Sequence, residues 1–158
     1  MSGVHIRVND DEELYRRIPS YQNCIRRLED GSIRLSASAF NDRFKKPSVD
    51  RKNLRSHPSQ TQVDPSDGVV TLITSAVRNI AGMVKKNDRG KVIENYIIDV
   101  IPDPIRGHSV LPDNPAHALI VSDPDDIRGE SFNRLKEALS LLVTREHWLI
   151  PSQEDLPI

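Results

Sequence analysis

Apolar positions along the chain follow two rhythms, and together they predict a mixed fold. Val4, Ile6 and Val8 alternate with polar neighbours, as in a short edge strand. An acidic turn over 9–13 follows, and 14–18 reads as a second strand that Pro19 ends. Arg16 and Arg17 are adjacent on that strand, so they point to opposite faces. One of them then faces a cleft or the core, where an arginine needs an anionic partner.

In residues 24–36, CIRRLE and SIRLS flank Asp30-Gly31, which suits a hairpin closed by a two-residue type I′ turn. A short helix over 20–28, stopped by Gly31, is the alternative. Over 67–86, Val69, Leu72, Ile73, Ala76, Val77, Ile80, Met83 and Val84 recur at helical spacing. Ser66 or Asp67 can cap that helix, and Lys85-Lys86 suits the negative end of its dipole. A strand over 69–73 followed by a shorter helix capped by Thr74 or Ser75 also fits, but the longer helix is preferred.

After a turn at 87–90, residues 92–101 read as a strand. Tyr96, Ile98 and Val100 share one face, while Asp99 on the other must be at an edge or paired. Pro102 and Pro104 end it. The loop from Ile105 carries His108 and the turn signal Asp113-Asn114-Pro115, and His117 then opens a buried strand over 118–121. A second helix is expected over 131–145, with Phe132, Leu135, Ala138, Leu139, Leu142 and Val143 inward and Ser131 as N-cap. Trp148-Leu149-Ile150 packs onto the sheet, and 152–158 is a loose tail. The expectation is therefore one α+β domain over 1–151: a mostly antiparallel sheet of about five strands covered by two amphipathic helices.

Composition adds bounds. A chain of 158 residues can bury one real core. No run approaches the roughly 18–20 apolar residues a membrane helix needs. The first residues lack the basic-then-apolar order of a signal peptide, and the lone Cys24 cannot form an internal disulfide. A cytoplasmic protein without membrane contact is expected.

Charge changes the picture more. The net charge is only −1, yet residues 15–57 hold eleven Lys/Arg against four Asp/Glu, a local charge of +7 against −8 elsewhere. That split implies an anionic partner for the first third, or complementary charge within the fold. Arg43, Lys45, Lys46, Arg51, Lys52 and Arg55, with Phe44 among them, are the candidates to contact nucleic acid or an acidic protein surface. The polar stretch 58–68 reads as a mobile loop, and as the contact surface if the chain is a structural subunit of a protein complex.

Motifs for chemistry are sparse. His5, His57, His108, His117 and His147 form no metal-ligand spacing, and no metal is expected. A site assembled in space from His108, His117 and Asp99 or Asp113 would depend on the fold. Cys24 beside Arg26 and Arg27 reads either as an activated thiol or as an inert core residue. No nucleophile elbow or phosphate-binding glycine loop is present, and no cofactor is expected. In Ser36-Ala37-Ser38-Ala39-Phe40 the hydroxyls can bond a phosphate, but a packed bend under Phe40 is the favoured reading.

A possible acid–base and anion set remains: His117, His108, Arg17, Ser38 and Asp50. A histidine at a strand start can move a proton or contact phosphate near neutral pH. Its plainer role is to bond a neighbouring carbonyl. If the protein is an enzyme acting on a nucleotide or phosphorylated substrate, His117 is the general acid/base, Arg17 binds the anion and Ser38 assists.

LYRRIP (14–19), SASAF (36–40), SVDR (48–51) and DNPAHALIV (113–121), in this order, resemble a family of small bacterial proteins of unassigned function. The resemblance implies no activity. It singles out Arg17, Ser38, Phe40, Asp50 and His117 among the polar and aromatic positions. The leading expectation is a bacterial binding or accessory protein that uses its basic first third.

Overall fold

Six strands form one antiparallel sheet in the computed structural model, which describes residues 6–20 and 23–152. The order across the sheet is β10 (Trp148–Ile150), β5 (Gly68–Ile73), β1 (Glu13–Ile18), β4 (Ser48–Arg51), β9 (His117–Asp123) and β8 (Ile97–Pro102). Two ribbons stand apart from it: β2 (Ile25–Arg27) with β3 (Ile33–Leu35), and β6 (Val84–Lys86) with β7 (Val92–Asn95). The helices are α1 (Thr74–Arg78) and α2 (Gly129–Leu141).

Strand alternation sends Leu14, Ile18, Val49, Val70, Leu72, Ile98, Val100, Ala118 and Ile120 into a single core cluster. Helix α2 adds Phe132, Leu135 and Leu139, spaced to share one face. Phe40, from the 3₁₀ turn Ala37–Phe40 that packs on α2, completes the cluster. Burying each of the larger side chains contributes about 1.5–3 kcal/mol. The core therefore lies on one face of the sheet. Among the described residues no helix is long and apolar enough to cross a membrane.

The α+β class and the antiparallel sheet match expectation, but six strands replace five and only α2 is a long covering helix. The helix expected over 67–86 is instead β5, the five-residue α1 and β6. Strand β5 lies between β1 and β10, and its first five residues are all buried. A strand covered on both faces shows an unbroken apolar run, which periodicity cannot tell from a buried helix. Gly68 was the missed signal: a Cβ there would come within 2.7 Å of the Trp148 ring, so β10 can pair only against glycine.

Smaller differences have local causes. The hairpin forms, but its loop is Glu29-Asp30-Gly31 with only Gly31 at positive φ (84°), a type I turn closed by a bulge rather than type I′. Gly31 N donates to Leu28 O at 2.9 Å to close that turn. Of the strand expected over 4–8, residues 4 and 5 lie outside the described residues and 6–8 are not strand, although Val8 is fully buried. The strand over 92–101 breaks at Tyr96, whose N–H turns to Met83 O, so β7 pairs with β6 and β8 joins the sheet. Helix α2 begins after Arg128, while Ser131 Oγ donates to Val84 O and ties the helix to β6 instead of capping it. The stretch 58–68 is pinned: it holds the 3₁₀ turn Pro58–Thr61, capped by His57, and Asp67 accepts from Val63 N and Asp64 N. Of the tail, residues 153–158 lie outside the described residues.

Candidate functional site

Strands β1 and β4 pair over only Leu14–Arg51 and Tyr15–Asp50. Beyond that point β1 continues along β5 while β4 stays with β9. The Arg16 side chain fills the gap this leaves, bonding one carbonyl of β4 and one of the 3₁₀ turn Ala37–Phe40. Its Nη1 donates to Ser48 O at 2.8 Å, and Nε and Nη2 donate to Ala39 O at 3.1 and 2.9 Å. Its guanidinium also lies over the Phe40 ring, 5.5 Å from the centroid. These partners are carbonyls and a ring, and among the described residues no carboxylate pairs with Arg16. Burial pushes the Arg16 pKa down to about 10, and the neighbouring Arg17 charge acts the same way.

The sheet face opposite the core carries the row Tyr15, Asp50 and His117, in register across β1, β4 and β9. Directly opposed residues project to the same side. With Arg17 they line a cleft of about 620 Å³, walled by Thr61 of the 3₁₀ turn and by Leu111 and Asn114 of the loop before β9.

Asp50 is buried and saturated. Oδ2 accepts from Arg55 Nε at 3.1 Å and Thr61 Oγ1 at 2.8 Å, and Oδ1 accepts from Asn114 Nδ2 at 2.9 Å. A carboxylate so engaged is not a free base; it staples two loops to the sheet. His117 Nδ1 lies 2.8 Å from Asp103 O and 3.1 Å from Asp103 Oδ2. A carbonyl only accepts, so Nδ1 carries the proton and Nε2 of the neutral ring keeps its lone pair. His117 thus bonds a carbonyl and lines the cleft as well. Arg17 Nη1 reaches Asp67 Oδ2 at 3.3 Å, long for a charge-assisted hydrogen bond.

Arg17 and His117 share the cleft without touching. Two strand spacings across and two residues along place their Cα atoms about 12 Å apart. Ser38 is not with them. It lies in the Ala37–Phe40 turn and lines a second depression beside Lys45 and Lys136, so the set His117, Arg17 and Ser38 is divided between two places. Phe40 is a core residue.

Three other histidines accept backbone N–H groups at turns: His57 from Ser59, His108 from Val110 and Leu111, and His147 from Thr144. His5 lies outside the described residues. Asp99 bonds Arg78 at 2.7 Å and Asp113 accepts from Gly107 N, so neither joins His117. Among the described residues no three His, Cys, Asp or Glu side chains gather to hold a metal. Cys24 is buried in the core.

The basic residues divide in the same way. Arg51 is 5% exposed and donates through Nε and Nη2 to Glu12, each at 3.0 Å. Lys52 pairs with Glu13, and Arg55 with Asp50. Half of the six expected surface contacts are therefore ion-paired within the fold, partly to acids outside residues 15–57. Arg43, Lys45 and Lys46 have no such pair among the described residues. Thr61 and Asp103 were missed as site residues, Asn114 was read only as part of a turn, and the adjacency of Arg16 and Arg17 did not say which of them faces the cleft; each is placed by contacts that local sequence does not mark. No protein-family model, curated protein or solved structure matches the chain.

Proposed function

We propose that the cleft binds a small anionic ligand, a phosphorylated compound or nucleotide, with Arg17 meeting the anion and His117 giving or taking a proton. One observation carries this reading: Arg17 and His117 line the same cleft, while Asp50 between them is occupied by Arg55, Thr61 and Asn114. Two adjacent guanidiniums, Arg16 and Arg17, have one long carboxylate contact between them. An anion beside Arg17 offsets that charge. The carbonyl and carboxylate of Asp103 orient the imidazole through Nδ1.

Calorimetric titration with inorganic phosphate and a mononucleotide at low ionic strength tests the proposal. Arg17→Met is expected to weaken binding about tenfold, the loss of one charge-assisted contact. His117→Gln is expected to keep binding but flatten its pH dependence. The reading fails if neither ligand binds, or if Arg17→Met binds as tightly as the parent protein.

A further inference from the structure

A second concavity, of about 790 Å³, lies where residues 41–45 meet α2. We propose that it is a phosphate-binding site, with the anion held between the ammonium groups of Lys45 and Lys136. Both side chains converge on one ring: the Lys45 and Lys136 Nζ atoms lie 5.5 and 5.2 Å from the Phe132 centroid. Both lysines are half-buried, and neither has a carboxylate partner among the described residues. Two like charges gathered this way repel each other, and among the described residues only the ring face and Asn41 Oδ1, which accepts from Lys136 Nζ at 2.8 Å, offset them in part; an anion beside them would do so more fully.

The surroundings fit the same ligand. Asp42 also lines the concavity, but its Oδ2 already accepts from Phe44 N and Lys46 N at 2.9 Å each, capping the turn. With Arg43 counted, the lining carries three cations against one carboxylate, an excess of two. A phosphate monoester carries about −1.5 to −2 at neutral pH, which balances that excess better than a carboxylate does. Asn133 supplies an amide, and Gly129 brings the start of α2, which has no side-chain cap, to the rim. Lys45 is the only non-glycine residue at positive φ among the described residues (62°), a sparsely populated conformation held by the Asp42-capped turn. Burial, then Lys45, lowers the Lys136 pKa, in keeping with an uncompensated pair. Phe132 is only 3% exposed, so its ring offers no open face to a base; recognition is by charge.

The phosphate can come from a small phosphorylated molecule or from a nucleic-acid backbone. Phe44, 72% exposed beneath Arg43, would give a nucleic acid a stacking platform next to the site. Site-resolved amide NMR during titration with inorganic phosphate, and separately with a short oligothymidylate, tests the proposal. Amides of Gly129, Asn133 and Lys136 are expected to shift, and equally so in Arg17→Met, which separates this site from the cleft. Lys45→Met and Lys136→Met should each weaken binding about tenfold, and Lys136→Arg should restore most of it. Saturation by phosphate alone supports a small ligand. Tighter oligothymidylate binding, weakened by Phe44→Ala and by salt, supports a nucleic-acid backbone. The proposal is overturned if these amides stay unmoved by both probes. It is equally overturned if the methionine variants, their remaining amide spectrum unchanged, bind like the parent.

Discussion

In the cleft between β1, β4 and β9, buried charges meet opposite charges: Asp50 holds Arg55, and Arg17 reaches Asp67, with Arg16 alone resting on carbonyls. In the concavity beside α2, Lys45 and Lys136 face the same ring; Lys136 bonds only the neutral Asn41 Oδ1, and among the described residues no carboxylate pairs with either. The two regions draw on one pool of basic residues, yet pairing holds the first together while its lack leaves the second short of an anion. A +7 stretch is therefore not one surface. Part of its excess is met inside the fold by Glu12, Glu13 and Asp67; Arg26, Arg27 and Arg34 lie on the β2–β3 ribbon, and Arg43 and Lys45 join Lys136 beside α2.

The contrast can be broken most forcefully at Asp50. Asp50→Ala removes the buried partner of Arg55 and unties Thr61 and Asn114, and should destabilise the protein by about 3 kcal/mol. A urea midpoint lowered at unchanged slope would show this; a loss below about 1 kcal/mol would mean that Asp50 is not a staple. Arg17→Met should cost less, about 1.5 kcal/mol, between the values for exposed and buried pairs, because the ion pair is long and Asp67 keeps two backbone donors.

Lys136→Met should behave oppositely, raising stability by at most about 0.5 kcal/mol at low ionic strength, with the gain fading as salt is added. The sign follows from its pKa. In the folded state Lys136 is held below its ordinary value, so the unfolded chain binds more protons over that interval. Stability of the parent should therefore rise as pH climbs from the lowered folded value toward the unfolded one near about 10.4, and the variant should lack this rise.

The smallest expected effect lies outside both regions. Burial opposes ionisation of Asp99, but hydrogen bonds from Arg78 and Val100 N outweigh it and hold the carboxyl below the usual range. Its contribution is present above the unfolded pKa of about 3.9 and is lost as pH falls through the lowered folded value. Asp99→Asn should flatten the acid limb of an unfolding curve only slightly, since the carboxylate is half-exposed.

Much of this was legible in the residues. The β2–β3 hairpin was marked by Asp30-Gly31, though a short helix also fitted there; β1 was marked by its stop at Pro19, β9 by its apolar run and the inward face of α2 by spacing, and His117 does open β9. Asp99 was expected at an edge or paired, and it is both: β8 is the last strand of the sheet and Arg78 bonds its carboxylate. Gly68 with the β-branched run after it did mark β5, but the helical spacing of the same residues masked the signal. Ser38 and His117 could not be sorted by sequence, because both sit at small-residue turns and nothing local says which side of the sheet each turn serves.

Local features were settled by the chain's own covalent geometry. A period of two or of 3.6 puts apolar residues on one face whatever surrounds them, and a glycine at a turn needs no distant partner. The fate of each charge required the fold. Arg51 finds Glu12 across 39 positions and Asp50 finds Asn114 across 64, while Lys45 meets Lys136 only because α2 packs on the turn before it. The choice of strand β5 and a short α1 over the longer helix needed the fold as well, since two-sided burial erases the alternation that would have decided it. Electrostatic pairing and second-face burial are set by contacts between remote segments, and spacing along the chain carries no record of them.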